Sequence, residues 1–559
     1  MKKFLTVLCF VLFAAAVSAA CKKNGNEEIT LAKPQGFVLH ETMLGWEPVD
    51  HAGRYELYIE NRTYTTEKPE YDLSFLIFPG DYTIQVRAIG EGKNIYSSAY
   101  SDFTYTVAEA EQEKPTPGLQ YVLLPDRSGY EVSRGSANIS GRLVIPDEWY
   151  DLPVTRIADK AFKGKIYAPN RVTRSVRLPK FLKEIGKVAF SCCAALQQIE
   201  LPPEVRVIGD GAFGNCYALQ KINISPKVCV IGDAAFDACY QLARIELPPS
   251  VTTIGKAAFR DCYNLSYIQM SDNVRTIGEQ AFISCQKLEA ISLPEGIERI
   301  EQRTFLGCFN LRWIGIPETV KQIEDDFWKV PWVEEMTGDF ITVNSVLIKY
   351  RGTAEVLKES DFDPSIDSIG ACAFMDSKVK EVNFPDRINY MGWGTFFECD
   401  TLERVKLPGM ITFIPGNCFY ECKKLTAIEA GENLQTIKYS AFNGTDSLGF
   451  LKVWNGVTTI ERNSLYGIRN IVLPKSIEKI ENYTFSKNPA VNLYYEGTEA
   501  EWNDFLSVNG NEFLHENSQV YFFSERDPGK NGTYWHWVNG EPVIWEISET
   551  GESGAENAA

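Results

Sequence analysis

Residues 251–270 read VTTIGKAAFRDCYNLSYIQM, in which a large ring at Phe259 is followed three residues later by the small thiol of Cys262. The same order of apolar, small and aromatic residues returns every 23 residues along much of the chain. The repeated phenylalanine stands at Phe190, Phe213, Phe236, Phe259, Phe282 and Phe305, and again at Phe396, Phe419 and Phe442. A fixed period of about 20–50 residues is typical of a solenoid, because one unit cannot bury its apolar face but a stack of units can.

Each part of the unit predicts one side of a coil. The alternation Leu265-x-x-Ile268-x-Met270 predicts a short strand with its apolar side chains turned inward, and the proline that ends many of these strands turns the corner. The segment from Val251 to Gly255 predicts the next side, and the ring of Phe259 is expected in the core. Such coils can be followed from Phe162 to Phe485, so the sequence predicts a mainly β fold with a solenoid of about 14 coils.

Three departures from the period mark the ends and an interruption of the solenoid, which is predicted over 119–525. Residues 119–146 are predicted to cap its first coil. An insertion at 328–353 doubles the spacing between repeat phenylalanines to 47 residues, and two strands around Asn344-Ser345 predict a hairpin within it. The aromatic-rich range 526–549 predicts a C-terminal cap, and the small acidic tail 550–559 is expected to be disordered.

These repeats resemble the BspA-type leucine-rich repeats found in surface proteins of Bacteroidetes and some spirochaetes. The resemblance covers nearly all of residues 119–545. It implies a non-catalytic cell-surface protein that adheres to host extracellular proteins or to bacterial surface proteins. A glycan-binding or structural envelope scaffold protein is the alternative.

Residues 29–108 follow a different pattern, in which short runs alternate apolar and polar residues with period two, as half-buried strands do. Their core is predicted around Trp46, Tyr55, Leu73 and Val86. The two aromatic residues and a corner ending in Tyr82 resemble a fibronectin type III sandwich, in which a buried tyrosine hydroxyl caps nearby backbone. Such a domain serves either as a spacer or as a binding module. The charged, proline-containing range 109–118 is predicted as a linker.

The first 20 residues predict a secretory signal peptide, because the apolar run after Lys3 is too short to span a bilayer. The following Cys21 permits two interpretations, ordinary cleavage or lipidation at a site that resembles a bacterial lipobox. Lipidation would make residues 21–28 a tether and would hold the protein on the membrane by the lipid alone. We therefore expect an outer-membrane lipoprotein exposed at the bacterial surface; a periplasmic or secreted protein is the alternative.

Composition narrows the function of the 559-residue chain. With 56 Lys and Arg against 74 Asp and Glu, the net charge is -18, which disfavours binding to nucleic acid. The four histidines leave residues 52–514 without one, which excludes histidine-based catalysis and histidine-rich metal sites there. No nucleophile–base set, phosphate loop or metal-ligand spacing appears, so we expect no enzyme activity, no cofactor and no metal; a pair of catalytic carboxylates cannot be identified or dismissed by counting.

The cysteines follow the repeat. Those placed three residues after a repeat phenylalanine are Cys193, Cys216, Cys239, Cys262, Cys285, Cys308, Cys399 and Cys422. Stacked coils would set these thiols above one another with parallel Cβ directions, which is poor geometry for a disulfide, so we expect them to fill the core. Some disulfides remain an alternative, with the neighbouring Cys192 and Cys193 as the pair to examine.

Candidate ligand contacts stand at outward positions of the repeat strand and near the C-terminus. The outward row of the repeat strand is predicted to contain Gln198, Lys221, Arg244, Tyr267, Ala290 and Trp313. Its candidate contacts are Lys221, Arg244, Tyr267 and Trp313, whose aromatic members suit contacts with protein or sugar. An inert solvent face is the alternative there. Trp535 and Trp537 could form a sugar platform or cover the end of the solenoid. Tyr217, Tyr240 and Tyr263 follow the repeat cysteines and are expected to stack on one another.

Overall fold

The structure is a computed structural model that describes residues 29–59, 62–73, 76, 80–90, 95–107, 114–139, 141–165, 170, 173–485, 491–507, 518–526, 528 and 533–545. The chain divides into two compact units, Met1–Glu113 and Lys114–Ala559, at a point inside the predicted linker. The predicted signal peptide, Cys21 with its tether, and the acidic tail lie outside the described residues.

The first unit is a β-sandwich. Three strands form one antiparallel sheet in the order β2-β3-β6, four form another in the order β5-β4-β7-β9, and β1 pairs with β8 in parallel. The strands are β1 Ile29–Thr30, β2 Val38–His40, β3 Met43–Gly45, β4 Ala52–Ile59, β5 Arg62–Thr66, β6 Glu70–Asp72, β7 Gly80–Gly90, β8 Ile95–Tyr96 and β9 Ser101–Val107.

Both sheets contribute side chains to one core, and the four predicted core residues of this unit are all buried, which confirms them. The Trp46 ring meets the Tyr55 ring edge-on at 5.2 Å between centroids. The hydroxyl of Tyr55 accepts a hydrogen bond from the backbone N–H of Val49 at 2.8 Å. Tyr82, at the predicted corner, is buried, while Pro79 lies outside the described residues. The fibronectin type III resemblance remains a prediction.

The second unit begins with a hairpin that covers the edge of the solenoid. Strand β10 pairs antiparallel with β11, and β11 then pairs in parallel with β14, which starts the stack. These first strands are β10 Gln120–Leu123, β11 Tyr130–Ser133, β12 Gly141–Val144, β13 Glu148–Trp149 and β14 Leu152–Ile157. A sheet edge presents unpaired backbone groups, so the hairpin performs the capping that the sequence predicts.

The repeats then form two parallel ladders of strands. Strands of three or more residues stack on one side, which we call the long-strand face, and two-residue strands stack on another, the short-strand face. The strands are β15 Thr173–Arg177, β16 Glu184–Ile185, β17 Gln198–Glu200, β18 Val207–Ile208, β19 Lys221–Asn223, β20 Val230–Ile231, β21 Arg244–Glu246, β22 Thr253–Ile254, β23 Tyr267–Gln269, β24 Thr276–Ile277, β25 Ala290–Ser292, β26 Arg299–Ile300, β27 Trp313–Gly315 and β28 Gln322–Ile323.

Backbone contacts between successive coils explain the invariant parts of the unit. A Cβ atom at Gly255 would lie 2.6 Å from the backbone nitrogen of Asp233 in the coil before it, so only glycine allows this approach. The chain then turns through two left-handed residues, Ala257 (φ 53°) and Asp261 (φ 57°), on either side of Phe259. The sequence does not predict these two corners, because neither position requires glycine. The turn after the long strand closes as predicted, with Val251 N–H donating to Pro248 at 3.0 Å.

The core of the solenoid is a column of rings beside a column of thiols. Phe259 lies between Phe236 and Phe282 with centroid distances of 5.5 and 5.6 Å and nearly parallel planes. Beside it, the Cys262 thiol donates to the carbonyl of Phe236 at 3.2 Å, an interaction that recurs from coil to coil. All twelve cysteines of the described chain are free, and all except Cys229 are buried. The predicted filling of the core by the repeat cysteines is confirmed.

The insertion contains the predicted hairpin. Helix α1 covers Pro331–Glu334, and strands β29 Phe340–Val343 and β30 Val346–Tyr350 pair antiparallel around Asn344-Ser345. Strand β30 also pairs in parallel with the next short strand, so the hairpin joins the short-strand ladder. Strand β31 Val356–Leu357 and a 3-10 helix at Glu359–Asp361 return the chain to the repeat. The buried apolar residues form two clusters that divide at this hairpin.

The remaining elements continue both ladders to the C-terminal hairpin. They are β32 Ser368–Ile369, β33 Glu381–Asn383, β34 Tyr390–Met391, β35 Arg404–Lys406, β36 Phe413–Ile414, β37 Ala427–Glu429, β38 Thr436–Ile437, β39 Phe450–Lys452, β40 Thr459–Ile460, β41 Asn470–Leu473, β42 Lys479–Ile480, β43 Val491–Tyr495, α2 Glu499–Ser507, β44 Ser518–Phe523, β45 Tyr534–Val538 and β46 Glu541–Ile544. The solenoid has about 16 turns, more than the 14 counted from phenylalanines, because its end turns lack that residue.

Candidate binding surface on the long-strand face

The long-strand face alternates strictly between core and solvent. In β21 the central Ile245 is buried while Arg244 and Glu246 are exposed, because successive side chains of a strand point to opposite faces. The strands β19, β23 and β25 repeat this pattern. The outward row predicted from the sequence is therefore confirmed from Lys221 onward.

One member of the predicted row is wrong. Gln198 is only 4% exposed, and Ser175, its partner in register on the preceding strand, is buried as well. This part of the long-strand face is covered, so an outward direction on the strand does not bring the side chain to solvent. The open row begins one coil later, at Lys221.

Arg244 and Tyr267 are neighbours in the open row. They stand opposite each other in the paired strands β21 and β23, and the guanidinium carbon of Arg244 lies 4.1 Å from the centroid of the Tyr267 ring. The Arg244 side chain also donates two hydrogen bonds to Glu246, at 3.0 and 2.8 Å. Because the guanidinium lies over the ring face and is itself bonded to Glu246, both side chains are held in place, although 40% of Tyr267 remains exposed.

Trp313 is the most exposed large ring of the row, at 52%. Its ring lies over Gly315, since a Cβ added to that glycine would be 2.7 Å from the ring. The strand between Tyr267 and Trp313 carries only Ala290 in the row, and Ala290 stands in register with Trp313. At a strand spacing of about 4.8 Å, two large rings thus flank a shallow gap about 10 Å wide.

The row of tyrosines after the repeat cysteines is a stack, as predicted. Tyr240 lies between Tyr217 and Tyr263 at centroid distances of 4.9 and 4.8 Å, with planes 11° apart in both pairs. The faces of these rings contact one another. The next coil carries Gln286 and the one after it Phe309, which ends the stack.

The C-terminal tryptophans differ from each other. Trp535 is fully buried beside Tyr494 and Phe523, and its indole N–H donates to the carbonyl of Tyr495 at 3.1 Å. The ring of Trp535 is therefore inaccessible to a ligand, and the prediction of Trp535 as a surface contact is wrong. Strand β45 continues the sheet, and the Trp535 ring packs against residues of the neighbouring strands. Trp537 is only half-buried and remains at the surface.

A groove on the same face lies near this hairpin and was missed by the sequence analysis. A cavity of about 1020 Å³ is lined by β37, β39 and the loops after them, including Ala427, Phe450 and Trp454. A second cavity of about 360 Å³ shares Asn455 with the first and is closed on another side by Trp537. The sequence signal was the small Ala427 in the outward row just before the ring of Phe450.

The ladder thiols are the most numerous titratable groups in the described core. Burial raises the pKa of Cys193 and Cys399 to about 12 and raises the pKa of the other ladder thiols as well. Thiols in this state are poor nucleophiles. Within the described residues, no group of His, Cys, Asp and Glu is placed to hold a metal ion, and no helix is long and apolar enough to cross a membrane.

A set of buried acids lies where the insertion interrupts the ladders. The carboxylate of Glu324 accepts hydrogen bonds from the Tyr390 hydroxyl and from the Trp393 backbone N–H, the latter at 2.8 Å. Asp325 accepts from the backbone N–H groups of Phe305 and Phe327. Burial, and then the neighbouring charge of Asp326, raises the pKa of Asp325 to about 7. Both acids are buried; Glu324 accepts from donors beyond the insertion, and Asp325 accepts from donors before it.

Comparison with known proteins identifies the repeat. The BspA type leucine-rich repeat region matches residues 148–236, 208–330 and 353–470 in six copies, together more than half of the chain. No curated protein is a significant match.

Three solved structures illustrate the likeness. A leucine-rich repeat protein from Bacteroides ovatus is 25% identical over 67% of this chain and 93% of its own, with a TM-score of 0.38. A leucine-rich cell surface protein from Faecalibacterium prausnitzii is 23% identical over 72% and 99%, with a TM-score of 0.38. The Treponema pallidum leucine-rich repeat protein is 31% identical over 37% and 84%, with a TM-score of 0.29. All three TM-scores lie below 0.5, so the assignment rests on the repeat match.

Proposed function

The chain belongs to the BspA-type leucine-rich repeat family, and on that basis we propose that it is an adhesin whose open outward row binds a protein of a host or of another bacterium. Proteins of this family are bacterial cell-surface proteins, and leucine-rich repeats generally bind other proteins and are not enzymes. Adhesion through this row is the finer step that we propose for this chain.

The observation that carries the proposal is the pair of large rings on the long-strand face. Tyr267 and Trp313 are exposed at positions where solvent-facing strands need no ring, with Ala290 between them. Protein interfaces concentrate their binding energy in such tyrosine, tryptophan and arginine anchors around a gap that a partner side chain can fill. Lys221 and Arg244 belong to the same row, and Arg244, which is paired with Glu246, contributes by holding the Tyr267 ring in place.

We further propose that the protein is a lipoprotein anchored in the outer membrane through Cys21 and exposed at the cell surface. The support is the short signal sequence and the polar residues after Cys21. Metabolic labelling with a palmitate analogue tests it: the wild-type chain should be labelled and the Cys21→Ala variant should not. Label on neither protein would contradict the lipid anchor.

Binding of soluble residues 22–559 to immobilised extracellular matrix proteins and purified bacterial surface proteins tests the adhesin. We expect saturable binding to at least one of them, weakened about 10-fold or more in the Tyr267→Ala/Trp313→Ala double variant, because each anchor contributes at least about 1 kcal/mol. Arg244→Ala should weaken it less, since Arg244 supports the Tyr267 ring from one side.

The matched control removes one tyrosine and one tryptophan from elsewhere on the solenoid. Tyr483 and Trp328 are exposed to a similar or greater degree, and neither lies in a strand of the long-strand face. The Trp328→Ala/Tyr483→Ala variant should bind as the wild type does. Equal affinity of the two double variants for the bound protein would contradict a site at Tyr267 and Trp313.

A further inference from the structure

We propose that the groove between β37, β39 and the C-terminal hairpin is a second binding site, which takes a neutral polysaccharide. It lies on the same face as the outward row but on different coils, beyond the insertion. The two cavities that share Asn455 measure about 1020 and 360 Å³. Ligand pockets in proteins span about 300–1,000 Å³, so the groove has room for several sugar units.

The shape of the groove follows from side-chain size in the outward row. Arg404 and Ala427 are in register on β35 and β37, so a long side chain is followed by a methyl group, and the next strand brings the ring of Phe450. The loops add the small residues Gly431 and Gly456. The result is a depression with a low floor and an aromatic wall, built on paired strands that hold its shape without a ligand.

The walls provide the surfaces that sugars bind. Phe450 and Trp454 are half-buried and line the larger cavity, so part of each ring meets the groove. The C–H faces of a pyranose pack on such rings, and the indole can also donate a hydrogen bond. Phe523 and Trp537 line the smaller cavity and provide aromatic surface there.

The polar groups at the rim select an uncharged ligand. Lys452 is held by Glu496, with Nζ 3.4 Å from a carboxylate oxygen, and lies 4.7 Å from the Trp537 ring centroid. Lys475 is 3.4 Å from Glu501. Both cations are ion-paired, whereas no salt bridge joins Glu429 or Glu432 among the described residues, and Lys406, the cation next to Glu429, is itself paired with Glu359. Carboxylates accept hydrogen bonds from hydroxyls and repel an anionic chain.

Affinity electrophoresis and calorimetry of soluble residues 22–559 test the site with four neutral probes, laminarin, xylan, galactomannan and yeast mannan, and with anionic polygalacturonate. We expect at least one neutral probe to bind and polygalacturonate not to. Ala427→Trp, which fills the cavity without removing a contact, and Trp454→Ala should each weaken binding at least 10-fold.

Two controls separate this site from the outward row and from loss of folding. Tyr267→Ala/Trp313→Ala should bind the same probe as the wild type does, so failure of the proposed adhesin leaves this site standing. Asn455→Ala removes one exposed amide shared by both cavities and should weaken binding about 3-fold in a fully folded protein. The proposal is overturned if no neutral probe binds, if Ala427→Trp and Trp454→Ala both bind within 2-fold of the wild type, or if the groove captures a protein segment instead.

Discussion

The solenoid before the insertion and the solenoid after it share one repeat but differ in how regularly their core rings stack. Before it, seven consecutive rings from Phe162 to Phe305 and then Phe327 stack with planes within 16° of parallel, and the outward row lies open. After it, the column resumes with Phe374 and Phe396 tilted by 26°, and Phe384 enters the core beside them. The ring column is thus regular before the insertion and less regular directly after it.

The break between the two parts is filled with polar groups. Glu324 reaches Tyr390 and Trp393 across the intervening strand β32, so the acid replaces backbone pairing that the inserted hairpin interrupts. Buried carboxylates tolerate such a place only when donors surround them. The insertion therefore divides the apolar core while hydrogen bonds keep the two parts joined.

The largest expected effect comes from opening the ring column before the insertion. Phe259→Ala removes a fully buried ring that stacks on both sides and should lower the free energy of unfolding by about 3–5 kcal/mol. Phe442→Ala should cost about 1 kcal/mol less, because Phe442 stacks only on Phe419 and the next coil carries Leu465. Urea unfolding followed by circular dichroism measures both.

The exposed Lys287→Ala variant is the control for this pair and should stay within about 0.5 kcal/mol of the wild type. An equal loss for Phe259→Ala and Phe442→Ala would show that ring stacking adds nothing to burial and would erase this difference between the two parts.

The stability contributed by the buried acids at the insertion should depend on pH. Burial raises the pKa of Asp325 from its usual 3.8 to about 7, so the folded chain holds this proton more tightly than the unfolded chain does. The stability from this group is complete below about pH 4 and is lost as the pH rises to about 7. Asp325→Asn cannot ionise, so its stability relative to the wild type should rise by about 1–3 kcal/mol over that window.

Asp363→Asn is the control with the opposite sign. Hydrogen bonds from Ser365 lower the pKa of the Asp363 carboxyl, so its contribution to stability is present above the unfolded pKa and is lost as the pH falls. That variant should lose relative stability as the pH rises. A difference between Asp325→Asn and wild type that does not change from pH 4 to pH 7 would mean that Asp325 stays ionised in the fold.

The parts of the molecule that repeat were predictable from sequence. Phe259 and Cys262 occupy the core because each coil meets a copy of itself, so one unit determines the surroundings of the next. The outward positions of Tyr267 and Trp313 followed from strand alternation in the same way.

The parts that depend on a single, non-repeated contact were not predictable. Glu324 and Tyr390 are 66 residues apart, and only the geometry of the insertion brings them together. Trp535 is buried because β45 extends the sheet and packs its ring on Tyr494, which no local pattern indicates. The smaller cavity of the groove likewise needs Trp537 of the C-terminal hairpin beside Asn455, a contact that the repeat does not predict.

The smallest expected effect separates stacked from isolated rings on the surface before the insertion. Tyr240 stacks on two neighbours, so Tyr240→Ala should cost about 1–2 kcal/mol, whereas Phe309→Ala should stay within about 0.5 kcal/mol because Phe309 is 46% exposed and forms no ring contact among the described residues. Gln286 occupies the coil between Tyr263 and Phe309. Gln286→Tyr should therefore extend the stack and raise the cost of Phe309→Ala in that background toward that of Tyr240→Ala. If the cost of Phe309→Ala is the same with Gln286 and with Tyr at that position, the tyrosine column is held by the strands beneath it and not by contact between its rings.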